Sequence, residues 1–292
     1  MNINPNLAAS TLAHFKFETL DSLIGESAGF NSVFADALSA ESSSAAGNLL
    51  NLFIQGAAKS GPHAGRNMAL ADPESGYRMM SLINDKDLLY KAQYSELSRM
   101  GDAVRTMQQA GQSLGGISEA SSNGDIRAGL QGFIGQYNDW MQGFNPDMQN
   151  GGLLAGTQAA QLSRYELEQS VKNRFNGADD GVHGLADLGI NADPVNGSLS
   201  LDSARLAEML ASNRHGAVDA IREFSANFAK SASLLNADNN FIPNQLGNLD
   251  RAIHYIAANN TAWRAEFGTG NAAKPVGQTA QALAAYQRNF GA

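Results

Sequence analysis

A stripe of large apolar side chains between residues 126 and 144 restricts the fold of this chain more than any other feature. Its members recur at alternating steps of four and three residues, so they project from one side of an α-helix. The stripe consists of Ile126, Leu130, Phe133, Tyr137, Trp140, Met141 and Phe144. Each large side chain contributes about 1.5–3 kcal/mol when fully buried, so another long apolar surface must cover the stripe. Asn123 or Asp125 is placed to cap this helix, and Pro146 is expected to end it because proline has no N–H to donate.

A second long helix is predicted upstream and can supply that surface. Asp72, Pro73 and Glu74 combine a capping residue, a residue suited to the first helical position and a first-turn negative charge. From residue 77 onwards the chain then has no proline until Pro146. The sequence therefore favours a continuous helix over most of residues 77–117.

Heptad spacing and a Gly/Ser-rich turn suggest how the two helices pack. Tyr90, Leu97 and Val104 follow one another at intervals of seven, which is typical of a coiled-coil-like seam. Gly101 and Gly111 weaken this helix by roughly 1 kcal/mol each relative to alanine, so it needs a partner. Residues 115–124 are rich in Ser and Gly and predict a turn, and residues 77–144 are therefore expected to form a long antiparallel helical hairpin.

One convincing β signal lies near residues 185–202. Apolar residues precede a Pro-Val-Asn-Gly turn, and Leu199 and Leu201 alternate with serines after it, which predicts a small β-hairpin. Further helices are predicted around the hairpin. They are 157–175 with Thr157 as its cap, a helix capped by Asp202, 215–235, 242–256 and 279–290, with a loop over 262–277. The predicted fold is mainly α, an elongated antiparallel helical hairpin or bundle with a small β-hairpin subdomain.

Composition excludes several classes of function. The net charge of −8 and the pI near 5.1 argue against nucleic acid, and no basic run offers a site for an anionic membrane surface. The absence of cysteine excludes thiolate metal sites and cysteine nucleophiles. Only 16% of residues are charged, which suits helical surfaces that pack against other copies. Neither a secretory signal peptide nor a membrane-spanning window is expected.

Motifs that could carry chemistry are weak. Gly268, Gly270 and Ala273 match G-x-G-x-x-A, but a dinucleotide site needs a preceding buried strand, and here a helical segment precedes the match. The segment 191–202 has calcium-loop residue types at the wrong spacing, so a hairpin turn is favoured. The five histidines stand far apart. Tyr137 and Trp140 could stack on a ligand, although their spacing favours a core role. No catalytic residue, cofactor or metal site is predicted, and the chain is not expected to be an enzyme.

Four segments resemble, in order, the C-terminal region of the flagellar filament cap protein family (FliD, or hook-associated protein 2). The segments are FIGQYNDWM (133–141), LLAGTQAAQLSRYELEQSV (153–171), GLADLGI (184–190) and NGSLSLDSARLAEMLASN (196–213). Together they span roughly 90 residues. Residues 77–117 are also similar to the N-terminal helix of that family's stalk. The family's large β-rich head is inserted between these helices, whereas only residues 115–124 join them here, so the chain resembles a headless version.

The resemblance implies a bacterial flagellar structural protein. It predicts a flexible segment with short helices over 1–72, a stalk-like helical domain over 73–236 and C-terminal helices over 237–292. It also implies partners that are further copies of the chain or axial flagellar proteins, and export by a type III route without a cleaved signal peptide. Residues expected to carry packing or an interface are Tyr90, Leu97, Val104, Phe133, Tyr137, Trp140 and Phe144. The alternative is an intracellular helical adaptor or export chaperone for a flagellar partner.

Overall fold

The computed structural model describes residues 73–174 and 181–291, and these residues are mainly helical. They contain seven α-helices and one two-stranded antiparallel sheet, so the predicted fold class is confirmed. The elements are α1 Pro73–Leu114, α2 Asn123–Met148, α3 Gln158–Lys172, β1 Ile190–Ala192, β2 Leu199–Leu201, α4 Ser203–Ser212, α5 Arg214–Leu235, α6 Phe241–Phe267 and α7 Gly277–Phe290.

The chain divides into two compact units. The described residues of the first unit are 73–95 and 245–291, and those of the second are 96–174 and 181–244. Helices α1 and α6 each supply residues to both units. The predicted segment 1–72 lies outside the described residues, and the proposed boundary after residue 236 stays a prediction.

In the second unit, the C-terminal part of α1 packs antiparallel to α2. Near the turn, a Cβ built on Gly129 would lie 3.5 Å from Leu114, and farther from the turn the Arg99 guanidinium donates to the Gly143 carbonyl at 3.1 Å. As one residue number rises the other falls, which is the register of an antiparallel pair. The helical hairpin predicted from the apolar stripe is therefore present over this part of the two helices.

Helix α5 completes a three-helix core by packing antiparallel to α1. The Asn236 amide donates to the Gly101 carbonyl at 2.9 Å, and the Ser225 hydroxyl donates to the Gly111 carbonyl at 2.7 Å. A Cβ on Gly111 would lie only 2.7 Å from Phe228. The glycines that weaken α1 as an isolated helix are thus the positions at which α5 approaches its backbone.

The β-hairpin, α3 and α4 surround this core. Strand β1 pairs with β2 in the register Ile190↔Leu201 and Ala192↔Leu199. Asp202 caps α4 as predicted, since its side chain accepts the N–H groups of Ala204 and Arg205. Helices α3 and α4 both pack on α5, and β2 and α4 pack on α2.

The first unit is closed by a polar loop and an aromatic cluster. Asn84 donates to the carbonyls of Thr269 and Asn271, at 3.1 and 2.7 Å, and Gly270 lies directly against the backbone of α1. Tyr94 of α1 makes edge-on contacts with two aromatic rings of α7. These are Tyr286 at 5.8 Å and Phe290 at 5.0 Å between ring centroids. The C-terminal helix is therefore attached to α1 within this unit.

Two predicted helix ends are wrong. Helix α2 continues to Met148 with Pro146 inside it, because the proline φ suits a helix and only one hydrogen bond is lost so near the end. The predicted loop over 262–277 begins too early, since α6 runs to Phe267. Trp263 is buried and contacts Tyr255 edge-on at 5.7 Å between ring centroids, and it extends the apolar face by seven residues beyond Ile256.

Helix capping also differs in detail from the prediction. Ser122, rather than Asn123 or Asp125, is the N-cap of α2, and it forms a reciprocal capping box with Asp125. Thr157 precedes α3 as predicted, but its hydroxyl donates to the Leu154 carbonyl at 2.8 Å and makes no side-chain cap bond. Asp72 lies outside the described residues, and α3 ends at Lys172, before the predicted end at residue 175.

Candidate functional site

The seven residues predicted to carry packing or an interface are all buried within the chain. Their exposed fractions are Tyr90 5%, Leu97 0%, Val104 0%, Phe133 1%, Tyr137 1%, Trp140 2% and Phe144 2%. Tyr90 belongs to the first unit and the other six belong to the second. These side chains therefore pack inside the single chain, and the surface of the monomer is made of other residues. Their role in an interface between copies stays a prediction.

Phe133 is the centre of the aromatic core of the second unit. Its ring centroid lies 5.1 Å from that of Phe224 and 4.8 Å from that of Phe228, both in edge-on geometry. Tyr137 follows along the same face at 6.3 Å. Edge-on pairs of this kind add about 0.5–1.5 kcal/mol beyond area burial. The packing therefore fixes the rotation of α2 about its own axis and decides which α2 residues point outward.

Tyr137 is held neutral against a charged stretch of α3. Burial raises the pKa of its hydroxyl above the ordinary range, and the nearby Glu168 carboxylate adds to the effect. Glu168 pairs with Arg164 at 2.8 Å and with Lys172 at 3.4 Å. Although burial opposes ionisation of Glu168, these two cations outweigh it and lower its pKa. Where α2 meets α3, the neutral Tyr137 hydroxyl therefore lies near a Glu168 carboxylate whose charge is already neutralised by Arg164 and Lys172.

Asn138 binds the β-hairpin to α2. Its amide nitrogen donates to the Leu199 carbonyl at 2.8 Å, and its amide oxygen accepts the Leu199 N–H at 2.7 Å. The side chain thus satisfies the outer edge of β2 much as a neighbouring strand would. The core pattern did not reveal this role. The signal available was the Tyr137–Asn138 pair within the segment that resembles the cap family.

The hairpin turn is shaped to fit the same face of α2. Gly197 has φ +75°, and a Cβ there would lie 2.7 Å from the Met141 methyl group. Asn145 donates to the Asn196 carbonyl at 3.4 Å. Asn138, Met141 and Asn145 stand on successive turns of α2, so one helix face positions the whole hairpin.

A buried charge cluster joins the end of α2 to α1. The Arg99 guanidinium contacts both Glu96 carboxylate oxygens, the Asp147 carboxylate at 3.5 Å and the face of Phe144 at 4.1 Å from the ring centroid. Glu96 and Asp147 are only 8% and 3% exposed. Burial, together with a hydrogen bond to Glu96 and its negative charge, raises the pKa of Asp147 to about 7, although Arg99 opposes the shift. Sequence reasoning missed this cluster, although Asp147 continues the apolar stripe three residues after Phe144.

Arg214 binds the short connection between α1 and α2. Its guanidinium donates to the carbonyls of Glu119, at 2.9 Å, and Ser121, and to the Asn123 side chain at 2.5 Å. The neighbouring His215 ring contacts the Glu119 carboxylate. The connection predicted as a turn over 115–124 is therefore a loop held by the N-terminus of α5.

Between residues 128 and 142, the outward face of α2 carries a single charged residue. It consists of Ala128, Gln131, Gly132, Gly135, Gln136, Asp139 and Gln142, all exposed. A Cβ built on Gly132 or Gly135 would meet nothing within 4 Å. Exposed mid-helix glycines cost about 1 kcal/mol each relative to alanine, and no contact with residues 73–174 or 181–291 explains these two. Elsewhere in the second unit, Val195 at the hairpin tip is 89% exposed and Tyr165 on α3 is 57% exposed.

The described residues do not place the dinucleotide-like glycines or the calcium-loop-like segment in the geometry that such sites require. Gly268 and Gly270 follow a helix rather than a strand, and Gly270 packs against α1. Residues 193–198 form the hairpin turn, in which the Asp193 side chain accepts backbone N–H groups of the turn. Within residues 73–174 and 181–291, no group of three or more His, Asp or Glu residues is arranged to hold a metal ion. None of the described helices has the length and hydropathy needed to span a bilayer.

Comparison with known proteins gives one match. The family model described as flagellar hook-associated protein 2 C-terminus matches residues 119–284, which is more than half of the chain. No curated protein and no solved structure matches significantly. The matched range begins in the loop that Arg214 binds. It includes α2 with Asn138, the β-hairpin to which Asn138 is hydrogen-bonded, α3 to α6 and part of α7.

Proposed function

The chain belongs to the flagellar hook-associated protein 2 C-terminal family, and from that premise we propose that it is a non-enzymatic structural or assembly protein that acts by self-association or by binding axial flagellar subunits. The observation that carries this proposal is the family match over residues 119–284. That match supports a structural role related to the flagellar cap.

The outward face of α2, defined above, is the surface that best fits self-association. It carries one charge at Asp139, and Gly132 and Gly135 leave the helix backbone open to a close neighbour. A partner helix that covers these glycines would gain backbone contacts that a larger side chain would prevent. The cost of two exposed glycines is then offset in the assembly rather than in the isolated chain.

Size-exclusion chromatography with light scattering over a range of concentrations tests self-association. The expected result is a mass that rises with concentration, and that falls back to the monomer value in Gly132→Glu, which places a charge and a bulky side chain on the face. Gln169→Glu is the matched control, because it adds the same charge at an exposed position of α3. A strict monomer at every concentration would remove self-association and leave binding to axial subunits as the mechanism.

Localisation separates the assembly role from its alternative. We propose export through the flagellar type III route without a cleaved signal peptide, and this follows from the family rather than from the geometry. The protein should accumulate in culture supernatant or on filaments, and this should depend on the export apparatus. Retention in the cytosol of an export-competent strain would instead favour an intracellular adaptor or export chaperone.

A further inference from the structure

Asp147 lies in a nearly dry site beside a second carboxyl group. Its side chain is 4% exposed and that of Glu96 is 10% exposed, whereas the Arg99 side chain is 52% exposed, and all three belong to the second unit. The charged groups that act on the Asp147 carboxyl are Glu96 and Arg99, which face it from α1. Arg99 is closer to Glu96, at 3.0 and 3.1 Å, than to Asp147, at 3.5 Å. One guanidinium therefore serves two carboxyl groups.

We propose that Glu96, Arg99 and Asp147 form a proton-operated clasp that holds the last turn of α2 against α1 at acidic pH and loosens it as the pH rises through neutrality. In the closed state Asp147 is protonated and donates a hydrogen bond to the Glu96 carboxylate. Arg99 then neutralises the single remaining negative charge and donates to the Gly143 carbonyl.

Loss of the Asp147 proton removes that hydrogen bond and adds a second negative charge. Two buried carboxylates then repel each other across a site that holds one cation. Asp147 also stands in the last turn of α2, where the negative end of the helix dipole disfavours a further anion. The repulsion between the two carboxylates falls if Arg99 leaves Glu96 and Gly143 to pair with Asp147. It also falls if the last turn of α2 moves into water.

The last turn of α2 is connected to two neighbouring segments. The Asp147 carbonyl accepts the Leu154 N–H at 2.8 Å, and this bond closes the 149–157 loop. Asn145 donates to the Asn196 carbonyl in the turn of the β-hairpin. Opening of the clasp is therefore expected to loosen the 149–157 loop and the hairpin tip, which carries the exposed Val195.

The test is a carbon-13 NMR titration of the full-length protein labelled at aspartate carboxyl groups. Asp147→Asn identifies the Asp147 signal by its disappearance. The expected midpoint is about 7, as against a pKa of 3.8 for an ordinary aspartate. Glu96→Gln should lower that midpoint by about one unit or more, because it removes the neighbouring charge. Asp219→Asn, an exposed change on α5, should leave it unaltered.

Amide hydrogen exchange at fixed pH values tests whether ionisation of Asp147 loosens the last turn of α2 and the 149–157 loop. After correction for intrinsic rates, amides of 143–156 should lose protection between pH 6 and pH 8 by about tenfold or more, and Asp147→Asn should abolish the difference. A titration midpoint near that of an ordinary aspartate would overturn the proposal. So would a pH-dependent loss of protection that persists in Asp147→Asn.

Discussion

Gly111 of α1 and Gly132 of α2 are matched helical glycines whose replacement by alanine should change stability in opposite directions. Both belong to the second unit, and both lie inside helices, so the intrinsic gain in helix propensity has the same sign at each site. They differ in what the new methyl group meets. The comparison therefore isolates tertiary packing from local preference.

At Gly132 the methyl group meets nothing. The residue is exposed, and no heavy atom lies within 4 Å of the added Cβ. The change then reports helix propensity and the reduced freedom of the unfolded chain, so Gly132→Ala should stabilise the monomer by about 0.5–1 kcal/mol.

At Gly111 the methyl group collides with a ring that is held on other sides. The added Cβ would lie 2.7 Å from Phe228 Cδ1 and 3.4 Å from Cε1. The Phe228 ring is fully buried and contacts Phe133 edge-on at 4.8 Å and Phe224 in tilted geometry at 5.4 Å, so it cannot swing away freely. Overpacking of this kind costs about 1–3 kcal/mol, which outweighs a propensity gain of about 1 kcal/mol. Gly111→Ala should therefore be destabilising by up to about 2 kcal/mol.

Urea unfolding followed by Trp140 fluorescence is the appropriate assay. Trp263→Phe in every variant leaves Trp140 as the single tryptophan, and Trp140 reports on the second unit. Protein concentration is kept low and constant, because assembly would add a concentration-dependent term to the free energy of unfolding.

A double-mutant cycle gives the decisive control. If the clash with the ring is the cause, Gly111→Ala should be milder in a Phe228→Leu background, with a coupling free energy of at least about 0.5 kcal/mol. Equal stabilisation by Gly111→Ala and Gly132→Ala would refute the packing argument. Additivity in the cycle would show that the cost at residue 111 arises elsewhere.

Further substitutions test the other contacts. Asn138→Ala should destabilise the second unit by about 2–4 kcal/mol, as two hydrogen bonds are lost and the Leu199 backbone is left unpaired; amide exchange should show the loss concentrated in the β-hairpin. Ser122→Ala should cost about 1 kcal/mol in urea unfolding through loss of the α2 cap. Arg214→Gln should change global stability by less than about 1 kcal/mol but accelerate amide exchange over 118–123. The pKa of Asp147 is raised from 3.8 in the unfolded chain to about 7 in the folded protein. The protonated carboxyl group therefore stabilises the fold fully below pH 3.8, and this contribution is lost as the pH rises through about 7. Asp147→Asn should remove that dependence and be more stable than wild type at pH 8 by up to about 4 kcal/mol in urea unfolding.

The sequence alone determined the helices and the hairpin of the core. The stripe from Ile126 to Phe144 predicts α2 and its burial, because residues three and four apart lie on one side of a helix whatever covers them. The Pro-Val-Asn-Gly turn and the cap at Asp202 act through neighbours in the chain. Local signals of this kind need no knowledge of the rest of the molecule.

Tertiary structure decided what the remaining residues do. Gly111 is a weak point in an isolated α1 and a contact point only once Phe228 lies against it. Asn138 is an ordinary polar residue until the edge of β2 reaches it, and Asp147 is an ordinary carboxyl group until Glu96 approaches and water leaves. Steric fit, hydrogen bonding and desolvation depend on distances between residues far apart in the chain. Periodicity along the sequence carries no information about those distances.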